Sequence, residues 1–290
     1  MSKKGEKPKV SIIIPTYNSG KTLSECLKSI YSQSYPSFEV IIVDNYSNDN
    51  TLEIAKQFGA KIIQAKSNPA TARNIGIRNS IGRYLLFLDS DQVLSPFVLE
   101  ECVEKCEKEK ACMVIIPETF IGKSFWGLCS AFWKNCYEKV GQIYSECGEE
   151  NVIRSEPRFF TRKELIQVGL LNSALFWGED YDLHEKLRKM NVKEVICKSK
   201  IYHNEPNSLK EILRKNFLYG KSLPIFLKSR RKNMLVMLAK QAFFTFKHVL
   251  TTFKRKPAIM VGCAFLLFLK SCFLVAGLFT GYVVEDFDFI

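Results

Sequence analysis

Short, uniformly apolar runs alternate with amphipathic segments over the first two thirds of the chain. KVSIIIPTYN (9–18), FEVIIVDN (38–45), KIIQA (61–65) and RYLLFLDSD (83–91) have the length and composition of strands buried on both faces. Between them, residues 21–31 set Leu23, Cys26, Leu27 and Ile30 on one helical face. NDNTLEIAKQFG (48–59) reads as a capped helix stopped by Gly59, and residues 71–81 read as a third helix. This alternation predicts an α/β domain with a mostly parallel sheet. The pattern continues with a helix over 95–109, a strand over 112–117 and a strand followed by a helix over 158–169. It ends with a helix over 178–191, short strands at 192–197 and 200–203, and an amphipathic helix over 208–220.

The remaining segments follow a different pattern. Residues 120–147 gather Phe120, Phe125, Trp126, Phe132, Trp133 and Tyr137 among few acids. Between Met234 and Phe253, Lys240 and Lys247 share one helical face with His248 beside them, while Leu235, Leu238, Ala242, Phe246, Val249 and Phe253 form another. This predicts an amphipathic helix at a membrane interface. Residues 257–284 hold one charge, Lys270, in a stretch long enough to cross a bilayer once. Lys270 is costly in lipid, so it either faces protein or marks a break between two short helices of a re-entrant hairpin. The expected divisions are 1–227 (catalytic domain), 228–256 (basic interfacial region), 257–284 (transmembrane segment) and 285–290 (acidic tail). Basic residues before the span and acids after it orient the catalytic domain to the cytoplasm, on a plasma-membrane or endoplasmic-reticulum type of membrane.

Composition changes this picture in two places. The 290 residues are 47% hydrophobic and 25% charged, which excludes collagen-like, mucin-like and wholly disordered chains. The mean hydropathy of −0.05 also excludes a multi-span transporter. The net charge of +12 is local: residues 228–256 carry nine Lys and Arg and no acid. A membrane surface is therefore a simpler partner than nucleic acid, which the reading excludes. The ten cysteines show no metal or redox spacing, and no signal peptide precedes the first strand; they read as buried apolar side chains in a reducing compartment.

Ligands of such sheets bind beyond the carboxyl ends of the strands, and Asp44, Asn68 and Asp89 all fall at or just after such ends. Asp89-Ser90-Asp91 places two carboxylates where they can converge on a hard divalent cation that bridges phosphates. In KSNPATAR (66–73), Asn68 and Arg73 can contact a phosphate or nucleoside, and Arg73 can equally serve a structural ion pair. Glu179, Asp180 and Asp182 open a helix, either as favourable dipole partners or with one of them as a general base. His203 ends a short strand from which it could reach the metal or a diphosphate.

From about residue 9 to 220 the chain resembles the family-2 inverting glycosyltransferases of the GT-A fold, among them the lipid-linked-glycan and dolichyl-phosphate sugar transferases. The resemblance rests on SIIIPTYNSGKTLSECLKSIYSQSYPSFEVIIVDNYSNDNT, SNPATARNIGIRNSIGRYLLFLDSD and FWGEDYDL. It implies that Pro15, Tyr17 and Asn18 form the nucleotide-side loop and that Asp44 reads the nucleoside. Asn68, Arg73, Asp89 and Ser90 then belong to the donor site, with Asp91, Asp89 and His203 around Mn2+ or Mg2+. Asp180 becomes the catalytic base and Glu179 an organiser of the acceptor side. Asn45 stands where relatives often carry a second acid, Pro69 replaces a flexible turn, and the QxxRW motif of processive synthases is not evident. One addition per encounter is therefore expected.

The implied donor is a UDP- or GDP-linked sugar. The implied acceptor is a membrane lipid, above all a polyprenyl or dolichyl (di)phosphate-linked glycan, held near the aromatic run and the basic segment. A transferase making a diacylglycerol-type glycolipid is the alternative reading. A catalytically silent membrane scaffold is a weaker one, because both acidic clusters are intact. The C-terminal helices are a candidate surface for homo-oligomers.

Overall fold

The computed structural model describes residues 9–146, 156–175, 178–229, 243, 245 and 257–281. The basic helix expected over 234–253, except Phe243 and Thr245, and the acidic tail lie outside the described residues. The chain divides into two compact units. One comprises 1–117, 156–174 and 178–203; the other comprises 118–155, 175–177 and 204–290. This division departs from the linear boundary expected at residue 227, because the aromatic segment and the helix after residue 208 belong with the apolar C-terminal helix.

In the first unit, β1 (Val10–Thr16), β2 (Phe38–Asp44), β3 (Lys61–Gln64) and β4 (Tyr84–Phe87) alternate with α1 (Leu23–Tyr31), α2 (Thr51–Gln57) and α3 (Pro69–Arg78). After β5 (Gln92–Leu94), α4 (Val98–Lys108) and β6 (Met113–Ile115), the chain passes through the second unit. It returns as β8 (Pro157–Thr161), α6 (Arg162–Gln167), α7 (Glu179–Lys189), β9 (Glu194–Ile196) and the start of β10 (Ile201–Asn204). The seven-stranded sheet runs β3-β2-β1-β4-β8-β6-β9. All its adjacent pairs are parallel except those that β8 makes with β4 and β6. β5 pairs antiparallel with β10, opposing Gln92 and His203.

Strand alternation splits the core between the two faces of the sheet. Ile12 and Ile14 pack with Leu23, Leu27, Leu99 and Cys102 on one face. Ile13, Leu85 and Phe87 pack with Phe160, Leu183 and Leu187 on the other. Leu183 and Leu187 are one helical turn apart, so burying them fixes the face of α7 and the placement of its acidic first turn.

Several boundaries differ from expectation for local reasons. The helix expected from residue 71 begins at Pro69, because the Asn68 side chain accepts the Thr71 N–H at 2.8 Å and caps it. At α2 the Asn50 side chain makes no capping bond; Asp49 accepts the Thr51 N–H at 3.0 Å instead. Gly59 does end that helix with a φ of +67°, a conformation costly for residues with a Cβ.

In the second unit, β7 (Glu118–Ile121) leads into α5 (Phe125–Glu146), and α8 (Leu209–Ser229) and α9 (Pro257–Gly281) follow β10. Trp126 and Phe132 pack on Cys129, Ile212, Cys263 and Leu266, and Trp133 packs on Cys136 and Met260. These aromatics are thus core residues of this unit. α9 is one continuous helix of 25 residues through Lys270, which removes the broken-hairpin alternative. Of the nine described cysteines, all free, seven are buried, in keeping with the apolar reading.

Candidate active site

Arg73 organises the site of the first unit. It lies on α3, which approaches β1 so closely that a Cβ on Gly76 would come within 2.3 Å of Ile13 Cγ2. Gly76, one turn along, therefore allows the helix to bring Arg73 against the sheet. The buried guanidinium donates from Nη1 to Glu179 Oε1 at 2.5 Å and from Nη2 to Asp89 Oδ1 at 2.8 Å. One cation thus ties the end of β4 to the first turn of α7, joining the two acidic segments singled out in the sequence. Its Nε is buried with no hydrogen-bond partner among the described residues.

The two aspartates after β4 have different partners. Asp89 accepts from Arg73 and also from Arg158 Nη1 at 3.2 Å, so both carboxylate oxygens face arginines. Asp91 Oδ1 lies 3.3 Å from His203 Nε2. Gln92 fixes the orientation of that histidine: its Oε1 accepts the Asp89 N–H at 2.9 Å, leaving its amide NH2 to face His203 Nδ1 at 3.2 Å. Nδ1 then accepts, and the ring carries its proton on Nε2, pointing at Asp91. In this arrangement His203 directs an N–H toward Asp91, and Asp89 is held by the two arginines. No three His, Cys, Asp or Glu side chains among the described residues are grouped to hold a metal. The carboxylate of Asp91 still suits a hard cation that takes most of its ligands from substrate phosphates.

Asp180 is half-buried at the start of α7, where Gly178 supplies the left-handed turn at a φ of 80°. It lines a small cavity with Arg73, Phe87, Glu156, Arg158 and Leu183. Burial and the neighbouring Asp180 push the Glu179 carboxyl up to about 7, and Arg73 opposes that rise.

The expected nucleotide-side residues gather at the ends of β1 and β2. Pro15 is paired with Val43 in the sheet and Tyr17 is 47% exposed. Asn18 adopts a positive φ of 48° and accepts the Asn48 N–H at 2.9 Å. Asp44, the expected nucleoside-reading acid, closes β2 beneath this loop. It is fully buried and accepts from Thr16 Oγ1 at 2.9 Å and from Ser47 N–H at 2.9 Å, so it holds the loop from below. Asn68 caps α3 and donates from Nδ2 to the Ser173 carbonyl at 2.7 Å. Ser90 donates to Ser19 Oγ at 2.8 Å, joining the aspartate segment to the loop before α1.

Sequence reasoning missed Arg158 and Glu156. Arg158 is a cation inside an otherwise apolar strand, which is the available signal. Glu156 precedes that strand with no distinguishing pattern. It becomes visible only through His184, whose Nδ1 lies 2.8 Å from Glu156 Oε2 while Nε2 contacts Glu194.

Comparison with known proteins agrees with this architecture. The family model described as glycosyl transferase family 2 matches residues 11–169. The chain is 26% identical over 209 residues to glycosyltransferase GlyA of Streptococcus pneumoniae, covering 67% of this chain and 30% of GlyA. It is 43% identical over 93 residues to glycosyltransferase AglE of Haloferax volcanii, covering 29% of this chain and 31% of AglE. This chain therefore spans about a third of the length of these relatives. The mannosyltransferase PcManGT from Pyrobaculum calidifontis, solved with GDP-Man and Mn2+, superposes with a TM-score of 0.62 at 16% identity, covering 97% of this chain and 89% of that one. Residues 1–349 of Staphylococcus aureus TarS with UDP superpose with a TM-score of 0.53 at 21% identity, covering 72% and 63%. The fold is the GT-A α/β arrangement with a long apolar C-terminal helix, and with more than half of its length matched by the family model the chain belongs to glycosyl transferase family 2.

Proposed function

We propose that this chain is an inverting glycosyltransferase that moves a sugar from a nucleoside-diphosphate donor to a hydroxyl of a membrane-associated acceptor. The observation that carries this reading is the single Arg73 guanidinium held between Asp89 and Glu179. It couples a donor-side acid to the acid adjoining Asp180, bringing both halves of a displacement to one point.

In this mechanism the diphosphate lies beyond β4, near Asp91 and the Nε2–H of His203. Asp91 would hold Mn2+ or Mg2+, which when bound would supply positive charge against the departing diphosphate. Asp180 accepts the acceptor proton from the face opposite the leaving group, and the single displacement inverts the anomeric carbon. Glu179 and Arg73 position Asp180 at the start of α7. Tyr17, Asn18 and the loop anchored by Asp44 form the nucleoside side. GDP-Man on PcManGT and UDP on TarS support both nucleotide classes as donors to test. We assign the acceptor to the polyprenyl or dolichyl (di)phosphate-linked class, supported by the apolar α9 and the cationic segment before it. The catalytic unit faces the cytoplasm in this reading.

The test is incubation of the purified full chain with UDP- and GDP-sugars, Mn2+ or Mg2+ and membrane lipid extract, with products identified by mass. A sugar-adducted prenyl lipid is expected. Equal transfer to water-soluble sugars would overturn the acceptor assignment, and undiminished transfer by Asp180→Asn would overturn the mechanism.

A further inference from the structure

We infer that α9 is held in one leaflet of a bilayer, with Val261, Phe265, Phe268, Val275 and Phe279 immersed in its hydrocarbon, and does not cross the membrane. This rests on the second unit alone and is independent of the sugar-transfer reading.

The five residues and Cys272 recur at steps of four and three, which places them on one helical face. Val261, Phe268 and Phe279 are each at least 65% exposed. On the opposite side Met260, Cys263 and Leu266 are buried, covered by two helices that carry charge. Cys263 Sγ lies 3.1 Å from the Cys129 carbonyl of α5.

α8 runs alongside α9 in the same direction. Ile212 packs with Cys263 and Leu266 near its start. Further along, Gly220 and Gly277 bring the backbones together, and a Cβ on either would come within 2.0 Å of a carbonyl oxygen. These two contacts set the register and place Arg214 and Lys215, both exposed, level with the middle of α9. Lys270 there lies within electrostatic reach of Lys134, Glu205 and Lys215. Glu205 is buried, accepting from Ser130 Oγ and Lys134 Nζ at 2.6 Å each.

A spanning α9 would carry Arg214, Lys215 and the Glu205 cluster into the bilayer with it. Held in one leaflet, the same groups lie among headgroups while the Phe and Val stripe meets the chains. The nine cations of residues 228–256, which join α8 to α9, fit the same anionic surface. An isolated interfacial helix needs a polar face of its own. Here α5 and α8 supply it, which is why the composition of α9 reads as that of a span.

The test uses the full chain with one epitope before residue 1 and another after residue 290, in sealed vesicles with the amino-terminal epitope outside. Protease should remove both epitopes to the same extent without detergent. A carboxyl-terminal epitope protected until detergent is added means that α9 crosses, and overturns the inference. A chain that fails to float with vesicles and elutes as an oligomer also overturns it, since the stripe then meets a second copy. As a second measurement, replacing exposed Phe265 and Phe268 by Asn should move the chain into the supernatant in high salt. Retention equal to that of the parent chain counts against immersion.

Discussion

Arg73 is where a conservative change is most informative. A lysine keeps the charge but offers one point instead of a planar fork, so it cannot hold Glu179 and Asp89 together. Arg73→Lys should lower kcat about 100-fold by misplacing the acids, with a smaller effect on nucleotide affinity. An unchanged kcat in steady-state assays would show that the bridge does not position the chemistry. Asp180→Asn should reduce transfer by at least about 100-fold, the range expected for loss of a general base. Nucleotide binding by calorimetry should survive that change. His184 gives a prediction in stability rather than rate. It is buried between Glu156 and Glu194, with Arg188 Nε 3.6 Å from Glu194, and the two carboxylates hold its imidazolium up to about 9 from an ordinary 6.5, against the cost of burial. A raised histidine stabilises the fold fully below its ordinary value, and the contribution fades as pH rises through about 9. Burial pushes the partner Glu156 up, a penalty that His184 reduces. His184→Gln should therefore cost about 3 kcal/mol near pH 6, the scale of a broken buried pair. The gap in chemical denaturation should narrow toward pH 10; a constant gap would assign His184 a packing role only.

At the scale of elements, α3 and α7 decide whether the acids meet. Gly76→Ala would press a methyl onto Ile13, and overpacking of this kind costs about 1–3 kcal/mol. Both Tm and activity should fall, because the shift would move Arg73. A drop in Tm with full activity would mean that α3 can retreat without disturbing the guanidinium. The strands and helices of this unit were largely legible, since uniform apolar runs and one-faced helices leave few alternatives in a parallel sheet. The aspartates at the end of β4 and the acids of α7 were legible for the same reason, as polar breaks in apolar patterns. Their pairing was not. Arg73 and Glu179 are more than a hundred residues apart, and only the docking of Leu183 and Leu187 brings α7 back to α3. Asp44 and Asn68 were legible as polar residues at strand ends, but their bonds to Thr16, Ser47, Thr71 and Ser173 follow only from the folded chain.

For the whole molecule, charge and apolar surface act together on the second unit. Arg214 and Lys215 would each cost about 2.5–3.5 kcal/mol at the centre of a bilayer, whereas near an anionic surface each Lys or Arg gains about 1 kcal/mol. Those two signs separate an interfacial helix from a crossing one, and they also predict how binding responds to salt. Attraction between the cations of 228–256 and anionic lipid is screened over about 8 Å at physiological ionic strength, while burial of the α9 stripe in hydrocarbon is not. Flotation with phosphatidylserine vesicles should therefore weaken as salt rises yet level off above zero. With phosphatidylcholine alone, binding should start near that lower level and change little. Replacing Arg230, Arg231, Lys232, Lys254, Arg255 and Lys256, six of the nine cations, by Gln should remove most of the salt-sensitive part and leave the remainder. Binding that salt abolishes entirely would reduce the attachment to charge and leave the stripe without a role. Binding that neither salt nor the Gln substitutions alter would rest on α9 alone.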